Sequence, residues 1–447
     1  MTFYFYDLET SGFNPRTNRV MQFAGQRTDM KLKPLGEPDN ILIKLTDDIL
    51  PEPDAVLIHG ITPQKTKAEG RSETEVLKYL TNQVFTPDTI VVGYNNVRFD
   101  DDFMRFMFWR NFTDAYEWQW KEGRSRWDIL DVVRMTRALR PEGIVWPFAP
   151  DGSPSNKLAD ISTINKLEHD TVHDALSDVK ALIAVARLIY NKQTKLFNYL
   201  LNLRDKRKIA TLVGKGQPVL YTSGRYPSEY ERTTVAVILA PDPGKNAAIM
   251  YDLRVDPDDF TKLDPSGLAE LWRLRGKDTP YFPVKVLSYN RSPAVAPLSV
   301  LDDKSAKRLK IDGATINTNL AKLKKAKDFG DKLARALAML YPKTQPGMVV
   351  DVQKVDEQLY DGFVNSADKI KMSVVRATDT AEMANLSLDF TDPRLNALLP
   401  LYKARNFPSN LSQREKTAWE KFRVQRLLGG GQDSPSARYI LRLEELN

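Results

Sequence analysis

The chain has no cysteine. That excludes disulfides, thiolate catalysis and cysteine-ligated zinc. It suits a reducing compartment, and a cytoplasmic protein is expected. Histidine is almost as scarce: His59, His169 and His173 are the only three, so any imidazole chemistry must use one of them. No apolar run approaches the roughly 20 residues needed to cross a bilayer. The N-terminus shows neither a basic n-region nor an apolar h-region, so no signal peptide is expected. No internal repeat is evident.

What is present is an ordinary globular composition, 42% hydrophobic and 28% charged, over 447 residues. That length exceeds one core and predicts two to four domains. The formal net charge of +7 suits a polyanionic partner without requiring one.

The first 190 or so residues alternate strand-like and helix-like runs. Met1 to Glu9, Val20 to Thr28 and Asn40 to Leu45 read as strands. Thr89 to Tyr94, short and β-branched, reads as a buried one. Ser72 to Phe85 has helical periodicity and opens with the capping box Ser72/Glu75. Asp100 to Trp109, Asp128 to Leu139 and Ala175 to Tyr190 are further helices. The alternation predicts an α/β domain with a mixed sheet. From about Lys195 the pattern turns to short strands: Thr233 to Leu239, Ala247 to Leu253 and Pro283 to Ser288. These predict a small β-rich barrel or sandwich, followed by helices between Asn319 and Leu340. Pro342 to Met348 reads as a linker, and Asp351 onward as mostly helix, with a flexible loop at Gly429 to Pro435.

Asp7 and Glu9 stand two apart behind the apolar run Phe3 to Tyr6. On a strand both project from one face, about 6–7 Å apart along it. Two acids so placed can share a pair of divalent cations, the arrangement of metal-assisted phosphodiester hydrolysis. A second acidic site, Asp100-Asp101-Asp102, opens a helix; spacing alone does not say which of the three faces a metal. A third is His173-Asp174-Ala175-Leu176-Ser177-Asp178. Five helical residues turn through about 500°, so His173 and Asp178 would not share a face. Asp178 on the helix can ligate a metal while His173, on the approach to it, can act as a general base.

In this order the elements resemble the DEDD exonuclease superfamily, in its histidine-containing branch. Further segments resemble the bacterial exonuclease I family. They are Asp7-Leu8-Glu9-Thr10, Gly93 to Asp101, Ser125 to Asp128, Arg140 to Gly143, His173-Asp174-Ala175, Leu359 to Phe363 and Tyr402 to Pro408. The resemblance implies a ribonuclease-H-like exonuclease domain with a mixed sheet over 1–192. An SH3-like β-barrel DNA-binding domain (193–347) and a helical C-terminal domain (348–447) follow. It implies that Asp7, Glu9, Asp100 and Asp178 hold two Mg²⁺, with Mn²⁺ as a substitute, and that His173 activates the water. The implied activity is processive 3′-to-5′ degradation of single-stranded DNA to mononucleotides, in repair and recombination, by a monomer. An exoribonuclease of the same superfamily, or a non-catalytic nucleic-acid clamp, is the alternative.

Single-strand grips combine cations for phosphates with aromatic faces for bases. By resemblance, Glu9, Arg105, Trp120, Arg134, Lys157 and Lys206 touch the strand. Arg140 and Tyr199 match the family's site for the acidic C-terminal tail of single-stranded DNA-binding protein. Two departures stand out. Lys157 occupies a position where the family more often has arginine, which keeps the charge but loses the bidentate fork. Gln217 replaces a lysine of the basic surface. The run Lys322 to Lys327 is a further basic stretch, open to reading as a solvated helix face or a DNA contact.

Overall fold

The structure is a computed structural model that describes residues 1–167, 174–242, 246–274, 281–341 and 350–446. His169, His173 and the expected linker lie outside the described residues. The chain forms two compact units. One gathers Met1–Ser125, His169–Lys180 and Pro346–Asn447; the other gathers Arg126–Glu168 and Ala181–Gln345.

The first unit is built on β1 (Thr2–Thr10), β2 (Val20–Thr28), β3 (Asp39–Leu42) and β4 (Thr89–Gly93), side by side in the order β3-β2-β1-β4. β2 runs antiparallel to β1 and β4 runs parallel to it, so the sheet is mixed as expected. Every residue of β4 is buried, which explains its unbroken apolar, β-branched sequence. β3 stops at Leu42 rather than Leu45, because the chain turns away there to pair Ile43 with Arg71. The Ser72/Glu75 capping box forms as read. Its helix, however, is regular only over Glu73–Tyr79 and finishes as a wider π-turn, Leu80–Val84.

The core of this unit is aromatic. Phe103, Phe106, Phe108 and Trp109 from the helix Asp100–Arg110 pack with Tyr4, Tyr6 and Phe23 of the sheet. Val355, Leu359, Met372, Leu398 and Tyr402 belong to the same cluster. The C-terminal helical segment therefore shares one core with the N-terminal sheet. A buried ion cluster reinforces the join. Asp356 accepts from Arg19 at 2.7 Å, from Arg405 at 2.8 and 2.9 Å, and from Arg426 at 3.1 Å. Asp48 accepts from Arg405 at 2.8 Å.

β5 (Ser125–Asp128) leads into the helix Ile129–Leu139, which Asp128 caps. The second unit carries an antiparallel sheet of β6 (Val219–Thr222), β7 (Thr233–Pro241), β8 (Ala247–Asp252), β9 (Val284–Ser288) and β10 (Ala294–Pro297), in the order β10-β6-β7-β8-β9. The helix Phe329–Leu340 packs on β7 so closely that a Cβ at Gly330 would meet the Leu239 carbonyl at 2.5 Å. After Pro297 all regular structure among the described residues is helical. No described helix is long and apolar enough to cross a membrane.

Candidate metal centre

Alternation along β1 places Asp7 and Glu9 on one face, opposite Ala24 and Gln22 of β2. Asp178 stands in the first turn of the helix Ala175–Lys192. Carboxylate oxygens of Asp7, Glu9 and Asp178 all lie within 4.8 Å of one another. Asp100, 5% exposed, opens its helix close enough for its charge to act on both Asp7 and Glu9. Burial, then Asp100, Asp178 and Glu9, push the Asp7 carboxyl well above its ordinary range. Burial, then Asp178, Asp100 and Asp174, push Glu9 up to about 8. Carboxylates crowded in this way disfavour one another's charge until a cation arrives. An all-oxygen donor set of this kind suits a hard divalent ion.

The structure also separates the three consecutive acids. Asp101 accepts from the Tyr6 hydroxyl at 2.7 Å and from the Asn96 amide at 3.2 Å. Asp102 accepts from Arg105 at 2.6 Å and from the Tyr360 hydroxyl at 2.8 Å. Asp100 is the one whose charge reaches Asp7 and Glu9.

Of two further residues near the centre, Asp174 was read from sequence only as part of the third acidic run, without a role, and Gln22 was not singled out. Asp174 adds a fifth carboxylate whose charge raises Asp7 and Glu9. Gln22 donates to it at 3.3 Å. The available signal was register: a residue opposite Glu9 on an antiparallel neighbour shares its face.

The candidates for strand contact differ in setting. In the first unit Trp120 is 63% exposed, an aromatic face in solvent rather than in the core. Arg105 is buried, paired with Asp102 and bonded to Gln119 at 3.0 Å, and its guanidinium lies over the Tyr116 ring. In the second unit Lys157 and Lys206 are exposed, at the starts of the helices Leu158–Ile164 and Lys206–Gly214. Arg134 pairs with Asp131 at 2.7 Å and crowds Gly224, where a Cβ would approach its guanidinium to 2.9 Å. Arg140 bonds the Val300 carbonyl at 2.8 Å and Asp302 at 3.3 Å. Burial raises the half-buried Tyr199 phenol to about 12. Of the basic stretch Lys322 to Lys327, Lys322 is held by Asp256 and Asp258, both at 2.6 Å.

Three family models match successive parts of the chain: Exonuclease over residues 4–186, Exonuclease I SH3-like domain over 204–339, and Exonuclease I C-terminal domain over 353–447. Exodeoxyribonuclease I of Haemophilus influenzae is 38% identical over 434 residues, 95% of this chain and 90% of that protein. Exodeoxyribonuclease I of Escherichia coli is 39% identical over 430 residues, 95% of this chain and 89% of that protein. The solved structure of E. coli exonuclease I in complex with a dA16 oligonucleotide matches with a TM-score of 0.92 at 38% identity, over 100% of this chain and 94% of that one. The zinc-bound form of the E. coli ExoI–ssDNA complex matches at 0.91 and 37% identity, and an ExoI/SSB-Ct complex at 0.90 and 37%, each with the same coverage. Matched along nearly its whole length in both sequence and fold, the chain belongs to the exodeoxyribonuclease I family.

Proposed function

We propose that this chain is a Mg²⁺-dependent exonuclease that degrades single-stranded DNA processively from its 3′ end to 5′-mononucleotides. It acts as a monomer in the cytoplasm, in DNA repair and recombination. The observation that carries this reading is the convergence of Asp7, Glu9 and Asp178 carboxylate oxygens within 4.8 Å. Asp7, Glu9, Asp100 and Asp178 are the metal-holding set. When bound, the metal ions supply the positive charge that phosphodiester hydrolysis needs at the attacking and leaving oxygens. His173, ahead of Asp178 in the chain, takes the proton from the attacking water. Mg²⁺ and Mn²⁺ both favour carboxylate oxygens, and the zinc-bound E. coli relative supports a divalent site.

On this reading 1–192 carries the chemistry, 193–347 is the SH3-like DNA-binding part, and 348–447 completes the core of the catalytic unit. Trp120 stacks on a base, and Lys157 and Lys206 meet phosphates. Arg105 and Arg134 share their charge with Asp102 and Asp131, so each contributes less per phosphate. Arg140 and Tyr199 take the acidic tail of single-stranded DNA-binding protein, in keeping with the ExoI/SSB-Ct complex. A phenol raised to about 12 stays neutral and can donate to a carboxylate. Gln217, in place of a lysine, lowers the local charge and weakens that contact.

The test uses matched DNA and RNA oligomers labelled at the 5′ end, with Mg²⁺ or with EDTA. The expected result is conversion of full-length DNA to a short labelled limit product with few intermediates in Mg²⁺, and no shortening with EDTA. Equal shortening of RNA would make the chain an exoribonuclease. Binding of the oligomer without metal-dependent shortening would make it a clamp.

A further inference from the structure

We propose that Gln22 and Asp174 form a positioning pair that sets the approach of the Asp178 helix to the strand carrying Asp7 and Glu9. This rests on the proposed metal centre. Gln22 lies opposite Glu9 in the β1–β2 register and is 5% exposed. Its Nε2 donates to Asn40 Oδ1 at 2.8 Å and to Asp174 Oδ1 at 3.3 Å. Both partners are acceptors, so the orientation of the amide is fixed by them. Asp174 passes the constraint on. Its Oδ2 accepts from the Ser177 amide at 3.1 Å, and its carbonyl accepts from the Asp178 amide at 3.0 Å. A side chain on β2 is thereby bonded to the cap of the turn that presents Asp178.

The choice of residue type supports the assignment. Asp7, Glu9, Asp100 and Asp178 repel one another, and that repulsion acts to drive the helix from the sheet. A lysine or arginine at position 22 would restrain the helix too, but it would compete with a cation for the same carboxylates. A glutamine donates a neutral hydrogen bond and leaves the site's negative charge intact. Holding Nε2 toward Asn40 and Asp174 leaves the buried Gln22 Oε1 with no hydrogen-bond partner among the described residues.

The experiment compares Gln22→Leu, Asp174→Asn and the double variant with the unmodified chain. It measures Mn²⁺ binding by calorimetry without DNA, then kcat and KM on a single-stranded DNA oligomer. Each single change is expected to weaken Mn²⁺ binding and lower kcat by about 10-fold or more, the usual scale for groups that orient metal ligands. KM should stay within about twofold, and the double variant should be no worse than the weaker single one, as for two members of one unit. Gln22→Met, similar in length but without the donor, is expected to lose as much and covers a Gln22→Leu chain that fails to fold. Mn²⁺ affinity unchanged in the single variants, or losses that multiply in the double, would overturn the pair. Absence of Mn²⁺ binding to the unmodified chain would instead overturn the metal centre itself.

Discussion

Tyr6 donates its hydroxyl hydrogen bond to Asp101 at 2.7 Å. The residue before Asp7 is thus bonded to the residue after Asp100. Side chains alternate along a strand, so Tyr6 points away from the carboxylates, into the core beside Phe23 and Trp118. The bond therefore sets Asp100 relative to Asp7 from behind. Tyr6→Phe leaves the buried Asp101 with one donor fewer. The expected loss is about 1.5–3 kcal/mol of stability, the range for a hydrogen bond to a charged group. Urea unfolding measures it. A kcat reduced at near-constant KM should accompany it, because the proposed metal ligands rather than the proposed DNA contacts are displaced.

Protons and cations compete for the centre. Glu9 is raised to about 8 from an ordinary 4.5, and Asp7 is raised as well. For acids shifted upward, the contribution these groups make to the stability of the metal-free fold is fullest below pH 4.5 and is lost as pH rises through about 8. The melting temperature in EDTA is expected to fall across that window, and saturating Mg²⁺ to remove the fall. Mn²⁺ binding near neutral pH should release protons. Calorimetry in two buffers of different ionisation enthalpy reads the number directly, and equal heats would mean that none is released.

Asp356 is the hub of the buried ion cluster that joins the C-terminal segment to Arg19, just before β2, and to Asp48. Burial opposes its charge, but Arg405, Arg19 and Arg426 outweigh burial and hold its carboxyl well below the ordinary range; Asp48 is held at about 2. Asp356→Ala removes the carboxylate that Arg19, Arg405 and Arg426 share, leaving Asp48 alone to face Arg405 and Arg426, and the expected cost is about 3–5 kcal/mol. For acids shifted downward the contribution is present above the unfolded value of 3.8 and disappears as pH falls toward about 2. Acid unfolding of the unmodified chain should set in within that interval, and the variant should lose this part of the pH dependence.

Trp120 and Arg105 make opposite predictions for DNA binding. Trp120→Ala removes an exposed stacking face, worth about 1–3 kcal/mol per base, and should weaken oligomer binding with little change in stability. Arg105→Ala removes a buried partner of Asp102 and should cost stability as well as affinity. Fluorescence anisotropy with a single-stranded oligomer in EDTA, beside thermal melts, separates the two.

The parts of the fold governed by local pattern were legible. The run Phe3 to Tyr6 marked β1, the β-branched run at Thr89 marked β4, and Ser72 with Glu75 marked a helix start. Parts governed by distant partners were not. Nothing local to Leu80 announces the π-turn that ends its helix. Nothing in Val355 or Leu398 says that the C-terminal helices complete the core of the N-terminal sheet. The acids at 100, 101 and 102 are chemically equivalent in sequence, and only Tyr6, Asn96, Arg105 and Tyr360 tell them apart. Motif order was enough to bring Asp7, Glu9 and Asp178 together on paper. Gln22 needed the strand register, and the link from Asp174 to it needed the fold.

If Asp7, Glu9, Asp100 and Asp178 form a site for two divalent cations, anomalous scattering from crystals soaked in Mn²⁺ should show two peaks about 3.5–4 Å apart, bounded by these four carboxylates and absent in Asp7→Ala crystals. No peak there, or peaks that survive the loss of Asp7, would rule the two-cation site out.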